Sequence, residues 1–334
     1  MTDSRRVLVL GAPIGGCEQA AAAIAGAFLV AGSSTVVETA DLFKRLTPRV
    51  AQLVAMAHRT DASFLPDGNA SVAELARGRT EDALVRELSS GAIASLEATF
   101  ESLRPAAIVA THAVAAAASA ELRARHDFVA VSVVCDLMPR RLWTHPRSDL
   151  LCVAEDGVRE RAVLQGVPWD RVAVTGVPAR DAFLHGPAPA RRTRASAALV
   201  APGERPAARR RLVHALEVAG MQPVDASEGD PASRVREVDV VVCAGGGELL
   251  WSAPAAGIPL VLLGGSPAAE QGSADLLVAA GAALSARDEE HLASVAAYLV
   301  RRPERLAVLR DAAVALGRPA AARAVVERVL SLVG

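Results

Sequence analysis

Residues 6–18 read Arg6-Val7-Leu8-Val9-Leu10-Gly11-Ala12-Pro13-Ile14-Gly15-Gly16-Cys17-Glu18, and the Ala-rich stretch Gln19–Ala31 follows. A Val and Leu run without polar alternation is the pattern of a strand buried on both faces, as parallel strands covered by helices are. A glycine-rich turn and a helical stretch directly after it complete the opening of a β-α unit. The glycines permit a tight turn and let backbone N–H groups approach a polar ligand at the positive helix start. The turn has neither the G-x-G-x-x-G spacing of dinucleotide sites nor the G-x-x-x-x-G-K-[ST] spacing of P-loops. Alone, it fits a phosphate cradle and a plain tight turn equally. Arg5 and Arg6 ahead of the apolar run, with Cys17 behind it, also loosely match a lipoprotein signal. The strand, turn and helix reading is the better one.

The same pattern continues outward. Val- and Leu-rich runs at 6–10, 106–110, 128–134, 149–153, 171–175, 238–243 and 259–263 are expected strands. Helical stretches are expected at 17–31, 41–58, 80–103, 113–125, 156–165, 205–219, 248–256, 269–280, 288–300, 303–316 and 319–332. Strands alternating with helices predict doubly wound α/β domains with parallel sheets. In such sheets ligands bind beyond the carboxyl ends of the strands, so the residues just after each strand matter most. A length of 334 residues suggests two domains at ~100–200 residues each. The Pro- and Arg-rich stretch 184–206 has the composition of a linker. The expected division is therefore 1–183, the linker 184–206, a second domain at 207–318 and a C-terminal helix at 319–334.

Composition narrows the function. Hydrophobic residues make up 51% of the chain but aromatics only 3%, so Ala, Val and Leu must fill the cores and no broad stacking surface for single-stranded nucleic acid is expected. Lys plus Arg is 36 against 37 for Asp plus Glu, and a net charge of −1 gives no overall attraction to nucleic acid or to an anionic membrane. No apolar run is long enough to span a bilayer, and the one near 246–265 is interrupted by Glu248, Pro254 and Pro259. Cys17, Cys135, Cys152 and Cys243 are too scattered for a zinc knuckle or a C-x-x-C pair and read as reduced thiols of a cytoplasmic protein. No nucleic acid partner and at most peripheral membrane contact are expected.

The middle of the chain is more specific. Val134-Cys135-Asp136-Leu137-Met138-Pro139-Arg140-Arg141-Leu142-Trp143-Thr144-His145 is followed, after a strand and a helix, by Val174-Thr175-Gly176-Val177-Pro178-Ala179-Arg180-Asp181-Ala182-Phe183. With the Ala-Pro-Ile-Gly-Gly turn and Thr111-His112, these segments resemble the monogalactosyldiacylglycerol synthase and processive diacylglycerol glucosyltransferase family. That family is related to the N-acetylglucosaminyltransferase that makes lipid II. The resemblance covers about 5–183 and, more loosely, 235–285; its most specific piece is the T-G-x-P-x-R-x-x-F pattern at 175–183. It implies a GT-B fold, two Rossmann-like doubly wound domains facing a cleft. The implied activity is metal-independent transfer of sugar from a nucleotide donor, UDP-linked, to a lipid or small-molecule acceptor, with no cofactor. The stretch from Phe183 to Val238 is short for the family. It has room for one strand (Ala197–Ala201), one helix and one weak strand (Met221–Asp225), so the second domain is expected to be trimmed.

The departures fall on the chemistry. The family's turn ends in Gly-His where this chain has Cys17 and Glu18; Arg140 and Cys135 replace a His and a Thr, while Asp136, Trp143 and His145 are kept. On the donor side, Ser252 stands where a ribose-binding Glu is expected, and Pro267-Ala268-Ala269-Glu270-Gln271-Gly272-Ser273-Ala274 replaces Pro-Gly-Gln-Glu-x-Gly-Asn-Ala. Inverting transfer needs a base for the acceptor hydroxyl and positive or dipolar groups for the leaving diphosphate. The expected catalytic residues are Glu18, Asp136 and His145. Glu18 would act as base if buried beside Asp136, or else only complement the helix dipole. Gly15, Gly16, Cys17, His112 and Arg140 form the expected acceptor-side turn. Gly176, Gly245, Gly246, Gly247, Ser252, Glu270 and Gln271 form the expected donor side, where Glu248 would repel a diphosphate unless it pointed away. Cys17, Cys135 and Cys243 each follow a strand and fit either a cluster or small buried side chains. Two further readings fit the departures: a catalytically inactive pseudoglycosyltransferase acting as a binding or partner subunit, and a GT-B scaffold turned to another reaction in specialised metabolism.

Overall fold

In the computed structural model the described residues are 5–13, 16–32, 35–41, 44, 46, 81–135, 142–185, 197–200, 206–226, 229–244, 247–264 and 268–334, with 81–91, 206 and 268–271 described by backbone alone. The chain forms two units: Met1–Pro178 with Pro267–Ala269 and Ala320–Gly334, and Ala179–Ser266 with Glu270–Pro319. The helix expected over 41–58 lies outside the described residues except at Asp41, which ends a strand, and at Lys44 and Leu46.

In the first unit, β1 (Arg6–Gly11), β2 (Val36–Asp41), β3 (Ala107–Ala110), β4 (Val129–Val133), β5 (Leu150–Val153) and β6 (Val172–Val174) form one sheet in the order β2-β1-β3-β4-β5-β6. Every pair is parallel. Its helices are α1 (Cys17–Val30), α2 (Glu81–Leu103), α3 (Ala113–Leu122) and α4 (Asp156–Leu164). Side chains alternate between the sheet's faces. One face brings Val7, Val9, Val109, Val131 and Cys152 against Ala21, Ile24 and Phe28 of α1.

The second unit begins with α5 (Asp181–Leu184), whose Phe183 is fully buried in that unit's core. This burial puts the division at Pro178/Ala179 rather than after 183. Strands β7 (Ala197–Val200), β8 (Gln222–Asp225), β9 (Val240–Ala244), β10 (Leu260–Leu263) and β11 (Ala283–Ala286) form a parallel sheet in the order β11-β10-β9-β7-β8. The helices are α6 (Pro206–Val218), α7 (Leu249–Ala255), α8 (Ala268–Ala279), α9 (Glu289–Arg301) and α10 (Pro303–Leu316). Between Phe183 and Val238 the described residues hold a strand, a helix and a second strand, and the sheet has five strands to the first unit's six. The last helix, α11 (Ala321–Val333), returns to the first unit: Val325, Val326 and Val329, three positions on one helical stripe, join the cluster around α1. Among the described residues no helix is long and apolar enough to cross a membrane.

Strands β2 and β11 are absent from the expected set. Both are edge strands, and their sequences, Val36-Val37-Glu38-Thr39-Ala40-Asp41 and Ala283-Leu284-Ser285-Ala286, lack the continuous apolar run of a strand buried on both faces.

Gly11 sets how closely α1 can approach β1. A Cβ built on it would stand 3.1 Å from Ala21 Cβ and 3.3 Å from the Cα of Glu18. The substitution Gly11→Val should force the start of α1 outward and destabilise the chain by about 2 kcal/mol, the usual scale for overpacking, measured by chemical denaturation.

Candidate functional site

The first sheet has β2 on one side of β1 and β3 on the other, so the winding reverses between β1 and β3. The carboxyl ends of such a pair form the crevice where doubly wound sheets take ligands. Two connections meet there, the turn into α1 and Thr111-His112 ahead of α3. Thr111 is fully buried; its Oγ1 lies 2.7 Å from Cys17 O and 3.1 Å from Leu10 O, one proton serving two carbonyls. That hydroxyl ties the start of α1 to the end of β1. His112 is buried and caps α3 through Nδ1, which accepts Val114 N–H at 3.3 Å. Accepting there puts the proton of the neutral ring on Nε2.

Gly16 takes φ 79°, a left-handed conformation that suits glycine, and is the N-cap of α1 without any capping side chain. Cys17 is buried and packs with Ala12, Ala20, Cys135 and Val177. Two of the three expected edge thiols therefore share one small apolar cluster. Glu18 is exposed in the first turn of α1. The burial on which its role as base was conditioned is absent, and the position favours a negative charge through the helix dipole. Gly15, Asp136 and Arg140 lie outside the described residues.

His145 stands elsewhere. It precedes β5, and in a parallel sheet that places it at the amino edge, a strand length of roughly 15 Å at ~3.3 Å per residue from the carboxyl edge. Its Nε2 is 2.8 Å from Glu121 Oε1, its Nδ1 accepts Arg147 N–H at 3.2 Å, and Arg147 Nη1 donates to Glu121 Oε2 at 2.9 Å. Both ring nitrogens are thus held by protein. The ring lines a cavity of about 450 Å³ with Trp143, Gln165 and Arg171, and the structure does not bring it together with Glu18. The remaining thiol of this unit, Cys152, is fully buried, and that burial pushes its pKa up to about 12. It is no nucleophile at neutral pH.

In the second sheet the winding reverses between β7 and β9. Gly247 follows β9, with φ 79° and open space where a side chain would begin; Gly245 and Gly246 lie outside the described residues. Ser252 is 2% exposed, buried within α7, and has a hydroxyl where the family's Glu is expected. Gly176, at φ 88°, donates its N–H to Val153 O at 3.1 Å in the first unit. Glu270 and Gln271 fall in the first turn of α8, and their side chains are not described.

The T-G-x-P-x-R-x-x-F pattern acquires a physical account. Phe183 anchors the start of the second unit, and the Arg180 guanidinium sits 5.2 Å from its ring. Arg180 holds two carboxylates. Nη1 and Nη2 donate to Asp230 at 2.8 and 2.7 Å, while Nε and Nη2 donate to Glu248, the latter at 2.9 Å. Glu248, directly after Gly247, therefore points its carboxylate at a cation. Those hydrogen bonds raise the pKa of Arg180, and the guanidinium holds the Asp230 carboxyl below the usual range. Asp230 is the residue that sequence reasoning missed: it lies fifty positions from Arg180, and no local pattern marks it. Among the described residues no group of three or more His, Cys, Asp or Glu is arranged to hold a metal ion.

Two parallel α/β units, each with a glycine at the carboxyl edge beside its switch point, define a GT-B fold. The model of the monogalactosyldiacylglycerol (MGDG) synthase family matches residues 18–179, just under half of the chain, so the resemblance read from the motifs holds over the first unit. Among solved structures the chain is similar to MurG from Acinetobacter baumannii, at 14% identity over 98% of this chain and 99% of that one, with a TM-score of 0.63. It is similar to the glycosyltransferase SsfS6 of Streptomyces sp. SF2575 complexed with thymidine diphosphate, at 16% identity over 97% and 99%, TM-score 0.62. It is also similar to the UDP-GlcNAc 2-epimerase from Neisseria meningitidis bound to UDP-GlcNAc, at 14% identity over 98% and 100%, TM-score 0.60. At such identities the likeness is one of fold. No curated protein sequence matches the chain.

The Arg180 cluster makes two stability predictions. Glu248 has a side chain only 12% exposed, so Arg180→Ala should cost about 2 kcal/mol in denaturant titration. That is less than the ~3–5 kcal/mol for a fully buried pair, because the Asp230 side chain is 45% exposed. The folded pKa of Asp230 is depressed, so its contribution is full above the ordinary carboxylate value and disappears as the pH falls through the folded value. Asp230→Asn should thus be less stable than wild type at neutral pH, by under about 1 kcal/mol for so exposed a pair. The difference should vanish in acid.

Proposed function

We propose that this chain transfers a sugar from a nucleotide-activated donor to a lipid or small-molecule acceptor, without a metal or a bound cofactor. The observation that carries the reading is the pairing of glycine-rich turns with switch points: Gly11–Glu18 in the first unit and Gly245–Gly247 in the second. The match to the MGDG synthase family over 18–179 supports sugar transfer. The nucleotides in the SsfS6 and epimerase structures support a nucleoside diphosphate donor, UDP-linked in the first instance.

In this reading the first unit takes the acceptor. Glu18 is exposed beside the β1/β3 crevice in the free chain; a bound acceptor covers it and supplies the burial that a base needs, so that it removes the hydroxyl proton with Asp136 in support, and a base of this kind contributes ~10²–10⁴-fold. The second unit takes the donor: backbone N–H groups at 245–247 hold the leaving diphosphate, and Glu270 and Gln271 serve the sugar. Ser252, buried within α7, is given no part in this reading. His145 holds the loop before β5 through Glu121 and Arg147, and takes no part in the proton transfer.

Titration calorimetry of the full chain against uridine, thymidine and other nucleoside diphosphates should find one that binds; binding by none of them would end this reading. With the matching sugar nucleotide, Glu18→Gln should lower turnover about 100-fold while leaving the melting curve in place. Unchanged turnover would remove Glu18 from the mechanism.

A further inference from the structure

We propose that Asp230 sets donor affinity by occupying the face of Arg180 that the donor diphosphate takes, so that the nucleotide must displace this carboxylate to bind. The inference rests on the nucleotide-sugar reading above and adds to it a residue that determines donor affinity. Four of the five N–H donors of Arg180 are already committed, two to Asp230 and two to Glu248. Both contacts are two-pronged, the geometry in which a guanidinium recognises carboxylate and phosphate alike.

The cluster stands where a donor would arrive. Asp230 belongs to the connection after β8 and Glu248 follows Gly247 after β9, so both come from the carboxyl edge of the second sheet. One cation faces two carboxylates there, which leaves the cluster with excess negative charge. A diphosphate brought beside it unchanged is repelled, and exchange with one carboxylate removes that repulsion. The two are not equivalent. The Glu248 side chain is 12% exposed and would lose its partner in a partly buried place, whereas the Asp230 side chain is 45% exposed and can return to water at little cost. Asp230 is therefore the arm that yields, and Glu248 the one that keeps its hold on Arg180.

The test is titration of full-length wild type and Asp230→Asn with UDP, TDP and the corresponding unphosphorylated nucleosides. The amide keeps the Oδ1 atom that accepts Ala232 N–H at 3.0 Å, so the local turn survives while the charge is removed. The variant should bind the diphosphate about tenfold more tightly, the scale of one partly screened charge pair, with nucleoside affinity unchanged. Arg180→Gln introduced into that variant should abolish the gain. Equal or weaker diphosphate binding by a folded Asp230→Asn overturns this inference alone, as does a gain shared by the bare nucleoside. Binding of no nucleotide by any form overturns the donor reading and this inference with it. Asp230→Ser, which keeps a capping oxygen without the charge, gives the same readout should the amide fail to fold.

Discussion

A parallel strand reaches its neighbour only through a crossover that carries the chain back across a face of the sheet. Every strand pair in both units is parallel. All strands of a unit therefore end at the same edge, and the connections leaving them collect there. This brings Leu10 and Thr111 together across a hundred residues of chain, and in the second unit it gathers Asp230 and Glu248 at one edge. The same constraint buries both faces of each sheet, which is why Ala, Val and Leu suffice for the core when aromatics are only 3% of the chain.

A shared edge gathers polar groups that the sheet itself cannot satisfy, and each must find a partner. In the first unit the Thr111 hydroxyl serves the carbonyls of Leu10 and Cys17 and so fixes where α1 begins. In the second, Arg180 answers two carboxylates at once and fixes the residue after the glycine turn. At two positions where the chain departs from the family pattern it resembles, the side chains are buried: Cys17 in a small apolar cluster and Ser252 within α7. Glu18 has gone the other way, out into water at the crevice.

Legibility followed burial. Six of the seven Val- and Leu-rich runs correspond to the interior strands β1, β3, β4, β5, β9 and β10, because a strand covered on both faces must be apolar throughout, and the seventh to β6, an edge strand that keeps a Val-Ala-Val run. The edge strands β2 and β11 need no such run and left no mark. The glycine turns were legible because tight backbone geometry restricts residue type, as the left-handed Gly16 and Gly247 show. His145 was read by its distance along the chain from a strand end. The loop from β4 to β5 crosses from one edge of the sheet to the other, so that distance carried it to the wrong edge for the expected role.

The amino-acid sequence by itself determined the fold class, the position of the turns and the family resemblance of the first unit, because these depend on local hydrophobic period, on glycine geometry and on motifs continuous in the chain. Only the tertiary structure decided the state of the candidate site: that Glu248 faces Arg180, that Asp230 belongs beside it, that Ser252 is buried, and that α11 completes the first unit's core. A charge is set by what stands next to it in space, and strand order, which no local pattern encodes, determines what that neighbour is.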